Sequence, residues 1–185
     1  MTLKTKMKKI VINIILFQVG WFACVLTAAS SLPYFGAFIS LVILGTHVFI
    51  SKQYRQELRM IFIAMMIGFI WDSLLVSIGW ITYQSGMVFD FMAPYWIVLM
   101  WALFAITINS SLSWMKEKLA LASLFGAIAG PLAYYAGVKL GAVYFIYELN
   151  ALVALSIGWA VFTPLLLKLS ETGVSREKMI DGKLI

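Results

Sequence analysis

Charge is scarce in this chain, and what there is leans one way. Fourteen Lys and Arg stand against eight Asp and Glu in 185 residues, a net charge of +6. Charged residues make up 12% of the chain against 63% hydrophobic ones, and the mean hydropathy is +0.96. A water-soluble domain carries roughly 25% charged residues, so that class is excluded. Cysteine occurs once, at Cys24, which rules out an internal disulfide and leaves packing as its simplest role. Histidine also occurs once, at His47, and one His with one Cys cannot build the usual metal cluster. The chain has no H-E-x-x-H helix, no G-x-S-x-G elbow and no phosphate-cradling glycine loop. An intramembrane aspartyl protease needs two aspartates sharing a proton, whereas Asp72 stands alone within its apolar run. These absences leave no catalytic residue, metal or cofactor to expect.

Long apolar runs fill the space that charge leaves. A spanning helix needs about 20 mostly apolar residues, and six windows qualify: Ile10–Ser30, Pro33–Ile50, Leu58–Ile81, Phe91–Ser111, Leu119–Val138 and Tyr147–Leu167. They predict an all-α membrane protein, a six-transmembrane-helix bundle forming a single membrane domain over residues 1–185. A polar tail, 170–185, is expected to fray. The first run is too long for the 7–15-residue core of a cleaved signal, so it is read as a span.

Basic residues then orient the chain. Lys4, Lys6, Lys8 and Lys9 precede the first span; Lys52, Arg55 and Arg59 lie between the second and third. Lys116 and Lys118 lie between the fourth and fifth, and Lys168, Arg176, Lys178 and Lys183 follow the sixth. Only Lys139 falls on the other side. Cytoplasmic loops carry the basic excess, so both termini are expected in the cytoplasm. The positive charge therefore needs no nucleic acid; its partner is the lipid bilayer, with anionic headgroups beside it.

Small residues predict how the helices meet, because lipid supplies little hydrophobic force between them. Ala122, Gly126, Gly130, Ala133, Gly137 and Gly141 recur every three or four residues along the fifth span. Pro131 interrupts that span near mid-depth, where it removes one backbone donor and is expected to kink the helix.

Asp72, in GFIWDSLLVSIGW (68–80), is the polar residue that stands out. An ionised carboxylate at mid-membrane costs ~3 kcal/mol or more, so it should face protein or a watered cavity. Its simplest structural role is a clamp bonded to Gln18, Asn109 or a hydroxyl on a neighbouring helix. Trp21, Trp71, Trp101 and Trp159 fall near the centres of their own spans, level with Asp72. With Gln18, Asn109 and Tyr134 they complete a candidate ligand-binding set, suited to a cationic or amphipathic organic molecule through stacking and cation–π contact. Bulky side chains at that depth also serve simply to fill the bundle.

GWFAC (20–24), WDSLL (71–75), WALFAITINSSLSW (101–114) and GPLAYYAGVKLGAV (130–143) together resemble a family catalogued as domain of unknown function 2878. The resemblance runs over essentially the whole chain. It implies a small multi-pass protein of the bacterial inner membrane, and it supplies no activity. Three readings follow. The first is binding or transport of a small organic or lipid-like ligand at a mid-membrane site around Asp72. The second is a structural membrane partner with Asp72 as a helix clamp, and the third an enzyme or accessory acting on membrane lipid. An enclosed cavity reaching Asp72 favours the first; a dry, fully packed centre with Asp72 satisfied by one side chain favours the second. An opening to lipid beside Asp72 and a second titratable group favours the third.

Overall fold

The apolar runs become helices. The computed structural model of the chain describes residues 3–180, apart from the side chains of Lys6 and of residues 173–180. Its helices are α1 (Leu3–Ala29), α2 (Pro33–Ile50), α3 (Tyr54–Ser77), α4 (Tyr95–Ile108), α5 (Leu119–Lys139) and α6 (Glu148–Ile180), with a 3-10 turn at Ser113–Met115. All but α4 contain a stretch long and apolar enough to cross a bilayer. Their outward faces are rich in exposed large hydrophobics, such as Phe38, Phe62, Ile70, Leu132 and Ile157. A continuous apolar exterior of this kind is what lipid covers.

Helix α4 departs from the expected Phe91–Ser111 span. It has 14 residues, about 21 Å at 1.5 Å per residue, short of a ~30 Å hydrocarbon core. Every residue from Trp101 to Ile108 is buried. The helix packs against α1, α2, α3 and α6, so it is the hub of the bundle. Pro94 caps its start with extended geometry, and residues 84–94 cross the end of the bundle as an irregular segment. That segment is tied down where the Ser73 hydroxyl accepts from the Ala93 amide and where the Trp96 indole donates to the Ser85 carbonyl.

Two short strands add to the helical expectation. β1 (Ile81–Tyr83) and β2 (Val143–Phe145) pair antiparallel, with Ile81 opposite Phe145 and Tyr83 opposite Val143. Both follow a helix that ends in the same way. Gly79 and Gly141 adopt φ of 75° and 83°, and each donates its amide three residues back, to Val76 and Val138. The next amides, of Trp80 and Ala142, reach Leu75 and Gly137. This is the Schellman cap, which needs a left-handed residue and so a glycine. It stops α3 at Ser77, short of the Ile81 end expected, and turns the chain back over the bundle. At the other extreme α6 continues as helix to Ile180, beyond the expected Leu167 and into the expected tail; residues 181–185 lie outside the described residues.

Glycines receive both backbones and rings. A Cβ on Gly126 would strike the Trp159 carbonyl and the Thr163 hydroxyl, so α5 and α6 meet there backbone to backbone. A Cβ on Gly36 would lie 2.6 Å from the Ala23 carbonyl oxygen, which brings α2 against α1 in the same way. Elsewhere the space is taken by indoles: Trp101 lies on Gly68, Trp159 on Gly130 and Trp71 on Gly158. Helix α5 remains one helix across Pro131.

Candidate functional site

The carboxylate of Asp72 is wholly buried and wholly engaged. Oδ1 accepts from the Tyr134 hydroxyl at 2.6 Å and the Tyr83 hydroxyl at 2.8 Å. Oδ2 accepts from Trp101 Nε1 at 2.8 Å. Asp72 has no exposed surface. Three donors from α4, α5 and β1 thus converge on one side chain of α3. Charge-assisted bonds of this kind are the strong ones, and together they tie four elements at one point. Tyr83 itself packs edge-on against Trp96, with ring centroids 5.6 Å apart.

Of the residues singled out from the sequence, Trp101 and Tyr134 touch Asp72. Trp71 points elsewhere: it meets Phe162 edge-on at 5.2 Å. Trp101 and Trp159 stack at 4.4 Å and 12°, and Phe104 and Phe162 meet that pair edge-on. Three of the four central indoles therefore form one aromatic layer with two phenylalanines. Trp21 lies apart from that layer on α1, edge-on to Phe22.

Asn109 belongs to a different cluster, at the end of the bundle that carries the basic residues. Its Nδ2 donates to Glu57 Oε1 at 3.3 Å, and its Oδ1 accepts from Lys116 Nζ at 2.8 Å. His47 Nε2 lies 3.2 Å from Glu57 Oε2. Burial pulls the Lys116 ammonium below the ordinary lysine range, while the Glu171 and Glu57 carboxylates oppose that shift. This network joins the facing ends of α2, α3 and α4. Nearby, Asn13 donates to the Ile106 carbonyl and accepts from Ser111, fixing α1 to the end of α4.

Gln18 and Trp21 line a feature that no motif announced. Helix α1 packs along α2 and α4, and α5 along α6, but α1 and α5 do not pack along each other. A groove of about 700 Å³ lies between them. Ile14, Phe17, Gln18 and Trp21 form one wall; Phe125, Gly126, Ala129, Gly130 and Ala133 form the other. Phe104 and Thr107 of α4 and Ser111 just past its end, with Trp159 and Thr163 of α6, make the floor. Among the described residues, no Asp, Glu, Lys or Arg lines it. Its lips, among them Phe22, Trp114 and Leu132, are exposed and apolar. From Phe125 to Ala133 the wall rises about 12 Å, less than half of a ~30 Å hydrocarbon core. The volume lies within the ~300–1,000 Å³ of ordinary ligand pockets.

Sequence reading missed Tyr83, Glu57 and the groove. Depth counted along straight helices puts Tyr83 past the end of its span, away from Asp72. A signal for it exists: G-W-I-T-Y (79–83) and G-A-V-Y-F (141–145) share a glycine followed by alternating β-forming residues. Among the described residues, no group of three or more His, Cys, Asp or Glu is placed to hold a metal ion.

Comparison with curated proteins and with solved structures finds no match. A family model, by contrast, covers residues 10–165, every helix of the bundle and both sides of the Asp72 clamp. The chain belongs to the family described as protein of unknown function (DUF2878).

Proposed function

We propose that this protein binds a lipid-like amphiphile in the lateral groove between α1 and α5, with its apolar chain between the two helices. The observation that carries this reading is the groove itself: about 700 Å³ walled by small residues on α5 and free of ionisable side chains. A membrane helix pair that only scaffolds closes such a seam, because van der Waals contact is the main attraction available there. The apolar lips open toward the surface that lipid covers, so the occupant is an amphiphile of the bilayer. Gln18, Thr107, Ser111 and Thr163 offer polar contacts along a largely apolar lining. Asp72 acts in this reading as a clamp that holds the rear of the site rigid through Trp101 and Tyr134.

Ala129→Trp fills the groove from the α5 wall without touching the Asp72 bonds. Native mass spectrometry of the purified protein is expected to show a retained amphiphile, reduced at least about tenfold in this variant, a ~1.4 kcal/mol effect. Equal retention by both proteins, or none by either, would overturn the groove as a binding site.

The reading places the protein in the inner membrane of a bacterium, crossing six times with both termini in the cytoplasm. The basic excess at one end supports this, as does the course of α4, whose start is held near the end of α3 and whose end is bonded to Glu57 in the first turn of α3. Reporter fusions after Lys52, Lys118 and Lys168 are expected to read cytoplasmic, and those after Tyr83 and Lys139 periplasmic. A periplasmic signal at Lys118 would remove one crossing.

A further inference from the structure

The groove does not end at Trp21 and Trp159. A second space of about 50 Å³ continues from it, sharing Trp21, Phe104, Ala133 and Trp159. A third, of about 10 Å³, shares Ala133 and Tyr134 with the second and reaches Val25, Gly137 and Val143 beside the β-ribbon. The three follow one seam, α1 on one side and α5 on the other. Along α5 they run from Phe125 to Gly137, a rise of about 18 Å, well past half of the ~30 Å core. The seam is wide at the basic end and pinched toward the other.

We propose that this seam is the path by which the bound amphiphile passes from one leaflet to the other, shut in this structure at the ribbon end. The inference rests on the groove being a lipid site. Two further features of the seam support it. From Phe17 to Ala29, the side-chain bonds of α1 that leave the helix go to α2, at Ser40 and Gly36. The Ala28 carbonyl accepts from Ser85, and among the described residues no hydrogen bond from this stretch reaches α5. Parting α1 from α5 therefore breaks apolar contacts only, while each helix stays fastened to its own neighbours. The second feature is chemical. Tyr134 lines both narrow spaces, and its hydroxyl donates to Asp72, so the seam runs beside the buried carboxylate clamp.

The test uses the full-length protein in vesicles of phosphatidylethanolamine and phosphatidylglycerol, with a trace of phosphatidylglycerol labelled on its acyl chain with a dithionite-sensitive fluorophore. Dithionite is expected to bleach the inner-leaflet pool much faster than in protein-free vesicles. Gly137→Leu on α5 and Val25→Trp on α1 plug the narrow end from opposite walls, and each is expected to slow transfer about tenfold or more. Both variants keep the amphiphile that the purified protein retains. Wild-type vesicles that bleach no faster than protein-free ones, while the purified protein retains its amphiphile, would overturn passage and leave binding standing. Unchanged transfer in both variants would also overturn the path. Absence of any retained amphiphile in the wild type removes the groove reading, and this inference with it.

Discussion

Asp72→Leu is expected to cost more stability than any other single change in the bundle centre. It leaves Trp101 Nε1 and the hydroxyls of Tyr83 and Tyr134 without their acceptor, all of them buried around a side chain with no exposed surface. Interhelical hydrogen bonds in membranes average ~0.6 and reach ~1.7 kcal/mol, so three of them sum to roughly 2–5 kcal/mol. Asp72→Asn is milder. Its carbonyl can face Trp101 while its amide donates to tyrosine hydroxyls that rotate to accept. Tyr83→Phe and Tyr134→Phe each remove one bond and should fall near ~1 kcal/mol. Unfolding in mixed detergent would rank the four. A loss for Asp72→Leu no greater than for Leu74→Ala, on the exposed side of the same helix, would mean the clamp holds nothing together.

Gly126→Leu and Gly130→Leu are expected to follow closely, for a different physical reason. At Gly126 the new side chain meets the backbone of α6, which cannot turn aside; at Gly130 it meets the Trp159 ring, which is stacked on Trp101. Overpacking of this kind costs typically ~1–3 kcal/mol. Leu121→Ala removes side-chain atoms, but from an exposed position, and its effect should stay within ~0.5 kcal/mol. Thermal unfolding in detergent distinguishes these outcomes. Similar losses at all three positions would show that α5 and α6 are not pressed together along this stripe.

The backbone of the fold could be read before the structure was known because its signals are local. Hydropathy marked all six helices, α2 to α5 to within a few residues at both ends, and the glycine spacing of α5 marked a contact face that the structure gives to α6. The centre of the site was half legible. Matching depths grouped Trp101 with Asp72, since helices that cross side by side bring equal depths together, whereas Tyr134 stood out only by following Pro131. Tyr83 escaped that argument because a glycine-capped turn sends the chain back over the bundle, and depth no longer grows with residue number. Asn109 was grouped wrongly because it follows the last residue of a helix shorter than its apolar run, which moves it from the inner half to the bundle end. The groove had no signature at all. An unfilled seam is a property of two helices that do not meet, and neither sequence alone records the other's absence.

The burial of α4 on every side bears on how the chain can be assembled. A helix enclosed by α1, α2, α3 and α6 cannot be the last to arrive, because its place would already be closed. The first three helices have to form an open cradle that α4 enters as it leaves the insertion machinery. The hairpin of α5 and α6 then docks from outside and brings Tyr134 to Asp72. Until that moment the carboxylate lacks one of its three donors in a hydrocarbon setting that penalises the deficit. The clamp is thus complete only when α3, α4, α5 and β1 are all in place, so Asp72 registers the assembly of the bundle as well as fastening it.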